Sequence, residues 1–261
     1  MKSTEKSMAC WPTSAVLLPL VTLILPCSVL AEAKQQKEEV MQHSGPQQES
    51  IHHDKLPDDP TKVVTKLGIG YTDQFSLRGS FGLDEIHKIN GRISEDASDW
   101  RIGGSWLFKL GIVNVSFGKT EYDHGGSQTN YSIGTFVPLT VFGFSPFGWQ
   151  IFPTAGYSHN DGDVAVENVD PEIDSDWVLM PSTSNGGYLG GFALKPLSEH
   201  WNLMAFGGGS LGSDNYSGYW LGGGAGCKIN AHHSFNVFAF TSDNSYGDEQ
   251  KVGASYTYQF K

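Results

Sequence analysis

The sequence predicts an all-β fold: an antiparallel transmembrane β-barrel of twelve strands, preceded by a disordered N-terminal tail. Three observations predict it. Residues 251–260 alternate between apolar or aromatic side chains and small or polar ones, as in a strand with one face in an apolar phase. Segments of about ten residues with the same alternation recur between turns from residue 61 onward. The N-terminal residues have the composition of an export signal.

The final strand ends on Phe260, with Tyr256 and Tyr258 at the preceding alternate positions and only Lys261 after it. In this respect the chain resembles bacterial outer-membrane β-barrel proteins, whose last strand typically ends on Phe. The resemblance implies that the barrel-insertion machinery reads Tyr256, Tyr258 and Phe260, and that the partners include outer-membrane lipid and lipopolysaccharide. Lys261 departs from the pattern, and the resemblance brings no motif specific to one function.

Residues 1–33 are predicted to be a cleaved signal peptide. Lys2 and Lys6 precede an apolar run over residues 15–25, and small residues follow at 31 and 33. The run is shorter than the roughly 20 residues that a membrane-spanning helix needs, so insertion would have to use strands. The predicted location is therefore the cell outer membrane.

Residues 34–60 are rich in Gln, Glu, His, Asp and Pro and contain few large apolar side chains. Such a segment buries too little apolar surface to offset the entropy of ordering, and a disordered periplasmic tail is predicted. His43, His52, His53 and Asp54 have the chemistry of metal ligands, but their spacing defines no site, and a solvated linker is favoured. We expect no metal and no cofactor.

Residues 61–261 are predicted to form the barrel, and the strand count follows from the outward-facing apolar series. The twelve series start at Val63, Phe75, Ile89, Trp100, Val113, Tyr131, Phe147, Tyr188, Trp201, Tyr219, Phe235 and Val252. Phe147 and Trp149 belong to the seventh series, and Tyr188, Phe192 and Leu194 form the eighth. An even count places both termini in the periplasm.

A count of ten strands is the alternative. It would follow if residues 86–94 were a loop and residues 63–81 one long strand. A single strand over 63–81 would aim Asp73 at lipid, which is costly, so a turn at residues 72–74 is favoured. The long, acidic segment 159–186 is predicted to be extracellular, whereas short turns at residues 110–111, 195–200 and 230–233 are predicted to be periplasmic.

The charged residues at predicted inward positions are all basic, although the chain has 28 acidic and 17 basic residues. They are Lys62, Lys66, Arg78, Lys88, Arg92, Arg101, Lys109 and Lys228. A lumen of one charge sign concentrates counterions, and guanidinium groups bind carboxylate and phosphate in bidentate fashion. We predict anion binding by Lys66, Arg78, Lys88, Arg92 and Arg101, in a passive porin-like channel that prefers small anionic solutes such as acidic sugars or phosphorylated metabolites.

Two uncertainties about the lumen stay open at this point. The lysines could lie near the membrane edge while the arginines pair with acids and close the lumen. Bulky side chains at further inward positions could fill the lumen or stack against sugar rings. These lumen aromatics are Phe136, Phe152, Phe206, Trp220 and Phe238.

Two other classes of function were weighed against the channel. A structural or adhesion barrel would act through its acidic extracellular loops. A hydrolase at the barrel rim could use Asp123 and His124, or Ser158, His159 and Asp161. Neighbouring residues of a strand point to opposite faces, so we predict that the protein is not an enzyme. The G-x-G-x-x-G pattern at residues 207–212 lacks a following helix, and we expect no nucleic-acid partner.

Overall fold

A computed structural model describes residues 55–121, 126–162, 185–213, 215–245 and 247–260. They form a closed antiparallel barrel in which each strand pairs with its neighbours in the sequence and the last strand pairs with the first. The twelve strands are β1 (Lys66–Tyr71), β2 (Phe75–Gly82), β3 (His87–Ser94), β4 (Asp99–Phe108), β5 (Gly111–Glu121), β6 (Ser127–Phe136), β7 (Gln150–Gly162), β8 (Gly186–Pro196), β9 (Trp201–Gly212), β10 (Ser217–Lys228), β11 (His233–Asn244) and β12 (Gly247–Gln259).

The predicted count of twelve strands is confirmed, and the alternative of ten is wrong. The doubtful segment 86–94 contains strand β3, which pairs with both β2 and β4. A turn at residues 72–74 separates β1 from β2 and is closed by a hydrogen bond from Thr72 N to Gln74 O. The chain therefore has the architecture of outer-membrane β-barrel proteins.

The barrel closes where β1 meets β12. Lys66 lies opposite Gln259, and the Phe260 N–H donates to Thr65 O over 2.9 Å. We call this end of the barrel the terminal end. The opposite end, where β7 and β8 are joined by a connection containing residues 163–184, is called the long-loop end; those residues lie outside the described part of the chain.

The outer face of the barrel is its apolar face. Leu67, Leu77, Ile102 and Ile133 each expose about half of their surface (47–52%), and similar side chains follow on almost every strand. Polar residues are buried on the inside. This reversal of the usual pattern is what a barrel surrounded by lipid requires. Among the described residues, no helix is both long enough and apolar enough to cross a bilayer.

Strand β8 faces the opposite way from our prediction. Tyr188, Phe192 and Leu194 were expected to face lipid, but they are buried inside, with exposures of 6%, 3% and 0%, whereas Leu189 is 69% exposed. Large apolar residues occupy both parities of this strand. The rule that large apolar residues face lipid fails here because this side of the lumen is itself filled with aromatic side chains.

Two further positions differ from the prediction. Phe147 and Trp149 do not belong to strand β7, which begins at Gln150; the preceding residues form two single-turn 3-10 helices, Leu139–Phe142 and Pro146–Gly148. Val63 precedes β1 and packs, partly buried, against the apolar cluster inside the barrel. The series from Val63 to Tyr71 is therefore a shorter strand plus an inward-packed residue.

Inward aromatic rings lie across glycines of neighbouring strands. The Trp220 ring covers Gly208, the Tyr188 ring covers Gly156, and the Phe238 ring covers Gly253. A side chain at these glycines would occupy the space of the ring. Glycine thus lets a ring lie flat against the wall, which allows the barrel to bury several aromatics in a narrow lumen.

We expect Gly208→Ala to destabilise the barrel. A Cβ at Gly208 would overlap the Trp220 ring and lie 2.6 Å from Leu189 O and 2.8 Å from Gly190 Cα, so strand backbones would have to shift. Overpacking of this kind costs about 1–3 kcal/mol. Urea unfolding of the refolded protein measures the loss. Gly209→Ala is the matched control, since its nearest contact would be an ordinary 3.4 Å; equal effects of the two changes would contradict this packing.

The orientation of β8 is testable with spin labels on cysteines placed at Leu189 or Phe192 in a chain whose other cysteines are replaced. The label at Leu189 should collide readily with oxygen and poorly with a water-soluble nickel complex, because it lies in lipid. The label at Phe192 should be immobilised and protected from both. The reverse pattern would restore the orientation predicted from the sequence.

Candidate functional site in the barrel lumen

Three arginines form a continuous row on the inner wall. In the strand register, Arg78 of β2 lies directly opposite Arg92 of β3, and Arg92 lies directly opposite Arg101 of β4. Like charges at directly opposed positions destabilise a sheet. A row that persists despite this cost is what a site for a negatively charged group would require.

The strands on either side leave room for these side chains. Gly70 of β1 is covered by the Arg78 guanidinium, so that any side chain there would overlap it. On the other side, a Cβ at Gly118 of β5 would lie 3.3 Å from Cβ and Cγ of Arg101. Gly70 and Gly118 therefore belong to the site, although they have no side chain that could bind a solute.

The other predicted basic residues are placed in two groups. Lys66 of β1 and Lys88 of β3 lie inside, nearer the terminal end, and Lys88 is only 1% exposed. Lys109 and Lys228 are exposed at the ends of their hairpins, which fits the alternative that some lysines lie at the membrane edge. Lys62 lies just before β1, and its Nζ donates to Gln259 Oε1 over 3.0 Å.

Two inward charged residues were missed by the sequence analysis. Lys251 of β12 is partly buried on the inner side, and its Nζ lies 2.5 Å from Asp73 Oδ2. Asp99, the first residue of β4, shares the inward parity of Arg101, and its Oδ2 accepts from Arg92 Nη1 over 3.0 Å. The expectation that no acid faces inward was wrong, because it rested on a strand starting at Trp100.

The inner surface therefore has two unlike sides. What we call the basic wall consists of the inward cations on five adjacent strands, β12, β1, β2, β3 and β4. Its members are Lys251, Lys66, Arg78, Lys88, Arg92 and Arg101. The opposite side, which we call the aromatic wall, is formed by strands β6 to β11.

The aromatic wall contains all five predicted lumen aromatics, and each is buried inside the barrel. Phe136 is 3% exposed, Phe152 1%, Phe206 3%, Trp220 6% and Phe238 6%. Tyr188, Phe192 and Phe240 complete this wall and were not predicted to face inward. Neighbouring rings are in contact: the centroids of Phe152 and Phe192 lie 6.2 Å apart, and those of Tyr188 and Trp220 lie 6.4 Å apart.

The described lumen is filled at its middle, while a pocket of about 370 Å³ lies at the terminal end, between residues 55–58 and strands β9 and β10. Side chains from both walls are shielded from solvent near the middle of the barrel: Ser158 is 0% exposed, Phe152 1% and Arg101 7%. A cavity between Arg78, Lys66 and Phe192 has a volume of about 50 Å³, which suffices for one or two waters. Passage of a solute would require a change in this arrangement.

Residues 55–61, which we call the luminal segment, lie inside the terminal end. Asp58 is 8% exposed, Asp59 7% and Thr61 1%. Asp59 N donates to Leu56 O, and Asp59 Oδ1 accepts from both the N–H and the hydroxyl of Thr61 over 2.7 Å. Residues 55–60, which the sequence analysis includes in a disordered tail over 34–60, are folded into the barrel, while residues 34–54 lie outside the described residues.

The Asp58 carboxylate rests in a cradle made by three strands. Its Oδ2 accepts from Asn202 Nδ2 over 3.0 Å, and its Oδ1 accepts from Asn236 Nδ2 over 2.7 Å. Gly226 lies between the two asparagines in the register, opposite both. A Cβ at Gly226 would come within 2.9 Å of Asp58 Oδ2. Asn202, Gly226 and Asn236 thus form what we call the asparagine cradle.

Lysines fix the two ends of the luminal segment. Lys55 Nζ donates to Thr61 O over 2.9 Å, and Lys88 Nζ donates to Lys62 O over 3.0 Å. Burial lowers the pKa of Lys55 below its ordinary value, although the nearby Asp59 acts in the opposite direction. Burial, reinforced by Lys66 and Lys228, also lowers the pKa of Lys62. The lysine at the start of the segment and the lysine directly after it therefore both have lowered pKa values.

Among the described residues considered for rim catalysis, Ser158 lies apart from His159 and Asp161, which are both exposed. Ser158 is buried inside the barrel, whereas the next residue, His159, lies exposed on the outer side. Asp123 and His124, like His43, His52, His53 and Asp54, fall outside the described residues. Within the described ranges, no group of three or more His, Cys, Asp or Glu side chains is placed to hold a metal ion.

Among the acids at the long-loop end, Asp96 is held ionised. Hydrogen bonds from Ser98 and Ser94 lower the pKa of Asp96 to about 2.

At the terminal end, Tyr256 and Phe260 are exposed on the outer side, at 37% and 45%, and the Tyr258 ring contacts Phe260 with centroids 4.9 Å apart. The role of these three aromatics in barrel insertion stays a prediction.

Comparison with models of known protein families finds no match, and comparison with curated proteins finds none. Among solved structures, the KdgM porin in complex with disordered oligogalacturonate is 8% identical, with 76% of this chain and 100% of that chain covered and a TM-score of 0.47. The NanC porin is 8% identical, with 76% and 99% covered and a TM-score of 0.46. LpxR from Salmonella typhimurium is 9% identical, with 75% and 100% covered and a TM-score of 0.45. Similarity at this level carries no argument about function.

Proposed function

We propose that the protein is an outer-membrane channel with a preference for small anionic solutes, and that the structure is its closed state. The terminal end would face the periplasm, and the long-loop end would face the outside of the cell. The observation that carries this proposal is the row Arg78, Arg92 and Arg101 on the inner wall of a closed barrel.

The charge of the row supports the preference for anions. Six basic residues belong to the basic wall, and they outnumber the two acids that pair with it, Asp99 and Asp73. An excess of positive charge in a low-dielectric lumen raises the local concentration of anions. Guanidinium groups in a row can pass a carboxylate or phosphate from one bidentate contact to the next. Because neighbouring guanidinium groups share the anion, no single one binds it too tightly to release it.

The aromatic wall supports a solute that has an apolar face as well as a charge. Phe152, Phe192 and Trp220 lie on the side of the lumen opposite the arginines. An acidic sugar has carboxylate oxygens on one edge and C–H groups on its ring faces, and aromatic rings pack against such faces. The two walls are therefore chemically suited to the two sides of one solute.

A specific observation favours a second candidate, a sealed structural or adhesion barrel. The near-complete burial of Lys88, Phe152 and Ser158 is what a permanently closed lumen would have. In that case the arginine row would serve stability, and function would reside in the long-loop end. The two candidates differ in whether the lumen can conduct.

We expect discrete single-channel openings from the full chain refolded into a planar bilayer, with a reversal potential on the anion side under a salt gradient. Asp58→Ser, which loosens the luminal segment, should increase the time spent open. Arg78→Ser/Arg101→Ser should move the reversal potential toward zero, because it removes two of the three guanidinium groups from the row.

The matched control is Lys119→Ser/Lys195→Ser, which removes the same formal charge from outward positions and should leave the reversal potential unchanged. Folding of every variant is checked by its heat-dependent gel shift. Silence from both the wild type and the Asp58→Ser variant, each shown to be folded, would overturn the channel and favour the sealed barrel.

A further inference from the structure

The asparagine cradle has the geometry of a carboxylate-binding site. It offers two amide N–H donors, from Asn202 and Asn236, to the two different oxygens of one carboxylate at 3.0 and 2.7 Å. Both asparagines are buried, at 5% and 9% exposure. A carboxylate offers each donor an acceptor oxygen of its own, as Asp58 does here, whereas an ammonium group accepts no hydrogen bond.

The glycine between the two asparagines is needed for this geometry. Asn202, Gly226 and Asn236 are directly opposed across β9, β10 and β11. Any side chain at Gly226 would collide with Asn202 Oδ1 and approach Asp58 Oδ2 within 2.9 Å. Because Gly226 has no side chain, strand β10 leaves a gap, which we call the notch, in which a carboxylate can lie between the two amides.

The present occupant of the cradle belongs to the chain itself. Asp58 reaches it from the luminal segment, which precedes the first strand, and Asp58 is 8% exposed. The same carboxylate borders the cavity of about 50 Å³ that Lys66 and Arg78 also line. The cradle therefore adjoins the basic wall on the terminal side of the lumen.

We propose that Asn202, Gly226 and Asn236 form a solute-binding site for carboxylates, and that Asp58 occupies it as a tethered mimic of the solute. A carboxylate-bearing solute arriving from the basic wall competes with Asp58 for the two amides and releases the luminal segment. This inference rests on the proposed channel function and adds to it a site, a solute class and a means of opening.

Release of the segment is measurable without an ionic current. Pro60 is fully buried, so a cysteine in its place reacts with a membrane-impermeant maleimide only when the segment leaves the lumen. The full chain with Cys10, Cys27 and Cys227 replaced by Ala and with Pro60→Cys provides the probe. Glucuronate should accelerate labelling, whereas glucose and inorganic phosphate at the same concentration should not.

Variants of the cradle separate this mechanism from general loosening. Asn236→Ala should speed labelling about tenfold without any solute, the factor expected for loss of one hydrogen bond to a charged group, and should abolish the response to glucuronate. Asn130→Ala is the matched control: Asn130 is also a buried lumen asparagine with one Nδ2 hydrogen bond, of 2.6 Å to Asn160 Oδ1, but it does not touch the segment. Gly226→Ala, which fills the notch, provides a second variant with the same expected effect as Asn236→Ala.

The outcomes distinguish this inference from the channel proposal. Equal labelling with glucuronate, glucose and phosphate, or equal acceleration by Asn236→Ala and Asn130→Ala, would overturn the carboxylate site. If labelling responds as expected while Asp58→Ser conducts no current, the carboxylate site stands and the channel fails. If Asp58→Ser conducts anions while labelling ignores glucuronate, the channel stands and the carboxylate site fails.

Discussion

The closure of twelve hydrogen-bonded strands into one barrel is the constraint on which the rest of the structure depends. Closure satisfies every strand edge, and it forces each second residue into a lumen of fixed width. Barrels of about eight strands are filled by ordinary side chains, whereas those of 16–18 leave a wide channel. At twelve strands the interior is too wide to fill with small residues and narrow enough to close with large ones.

The two walls of the lumen solve this problem in different ways. On the aromatic wall, rings lie across glycines of adjacent strands, as Trp220 does at Gly208. On the basic wall, the long Arg78 side chain lies over Gly70. The luminal segment lies inside the terminal end, where it lines a pocket of about 370 Å³ together with Asn202 and Gly226, and its carboxylate fits the notch at Gly226. Several of the glycines in this chain are thus explained by the side chains that lie against them on the inner face.

Strand number and most strand orientations could be predicted from the sequence, because alternation against lipid is a local signal. Asp73 illustrates this: a charge at an outward position argued for the turn at residues 72–74 that the structure contains. The same rule failed at Tyr188 and Phe192, where aromatic residues face inward. Alternation shows that the two faces of a strand differ in polarity. Where both faces are apolar, it no longer shows which face points toward the lipid.

Part of the candidate site could also be predicted from the sequence. The inward parity of Arg78, Arg92 and Arg101 was predicted from single strands, but their placement side by side depends on the register between strands, which no single strand contains. Asp58, Asn202 and Asn236 were missed altogether. Asp58 is 144 residues from Asn202 and 178 residues from Asn236 along the chain. It also lies in a polar stretch whose composition predicts disorder.

The central claim is that the luminal segment holds the lumen closed, and that its release lets the side chains that fill the middle of the barrel rearrange so that the lumen conducts. It is tested most directly in a chain with Asp58→Cys/Asn236→Cys and no other cysteine, bridged by a short bifunctional thiol reagent that forms reducible disulfides. The account predicts no current from the bridged protein and anion-selective openings after a reductant cuts the bridge. Equal current before and after reduction would contradict it.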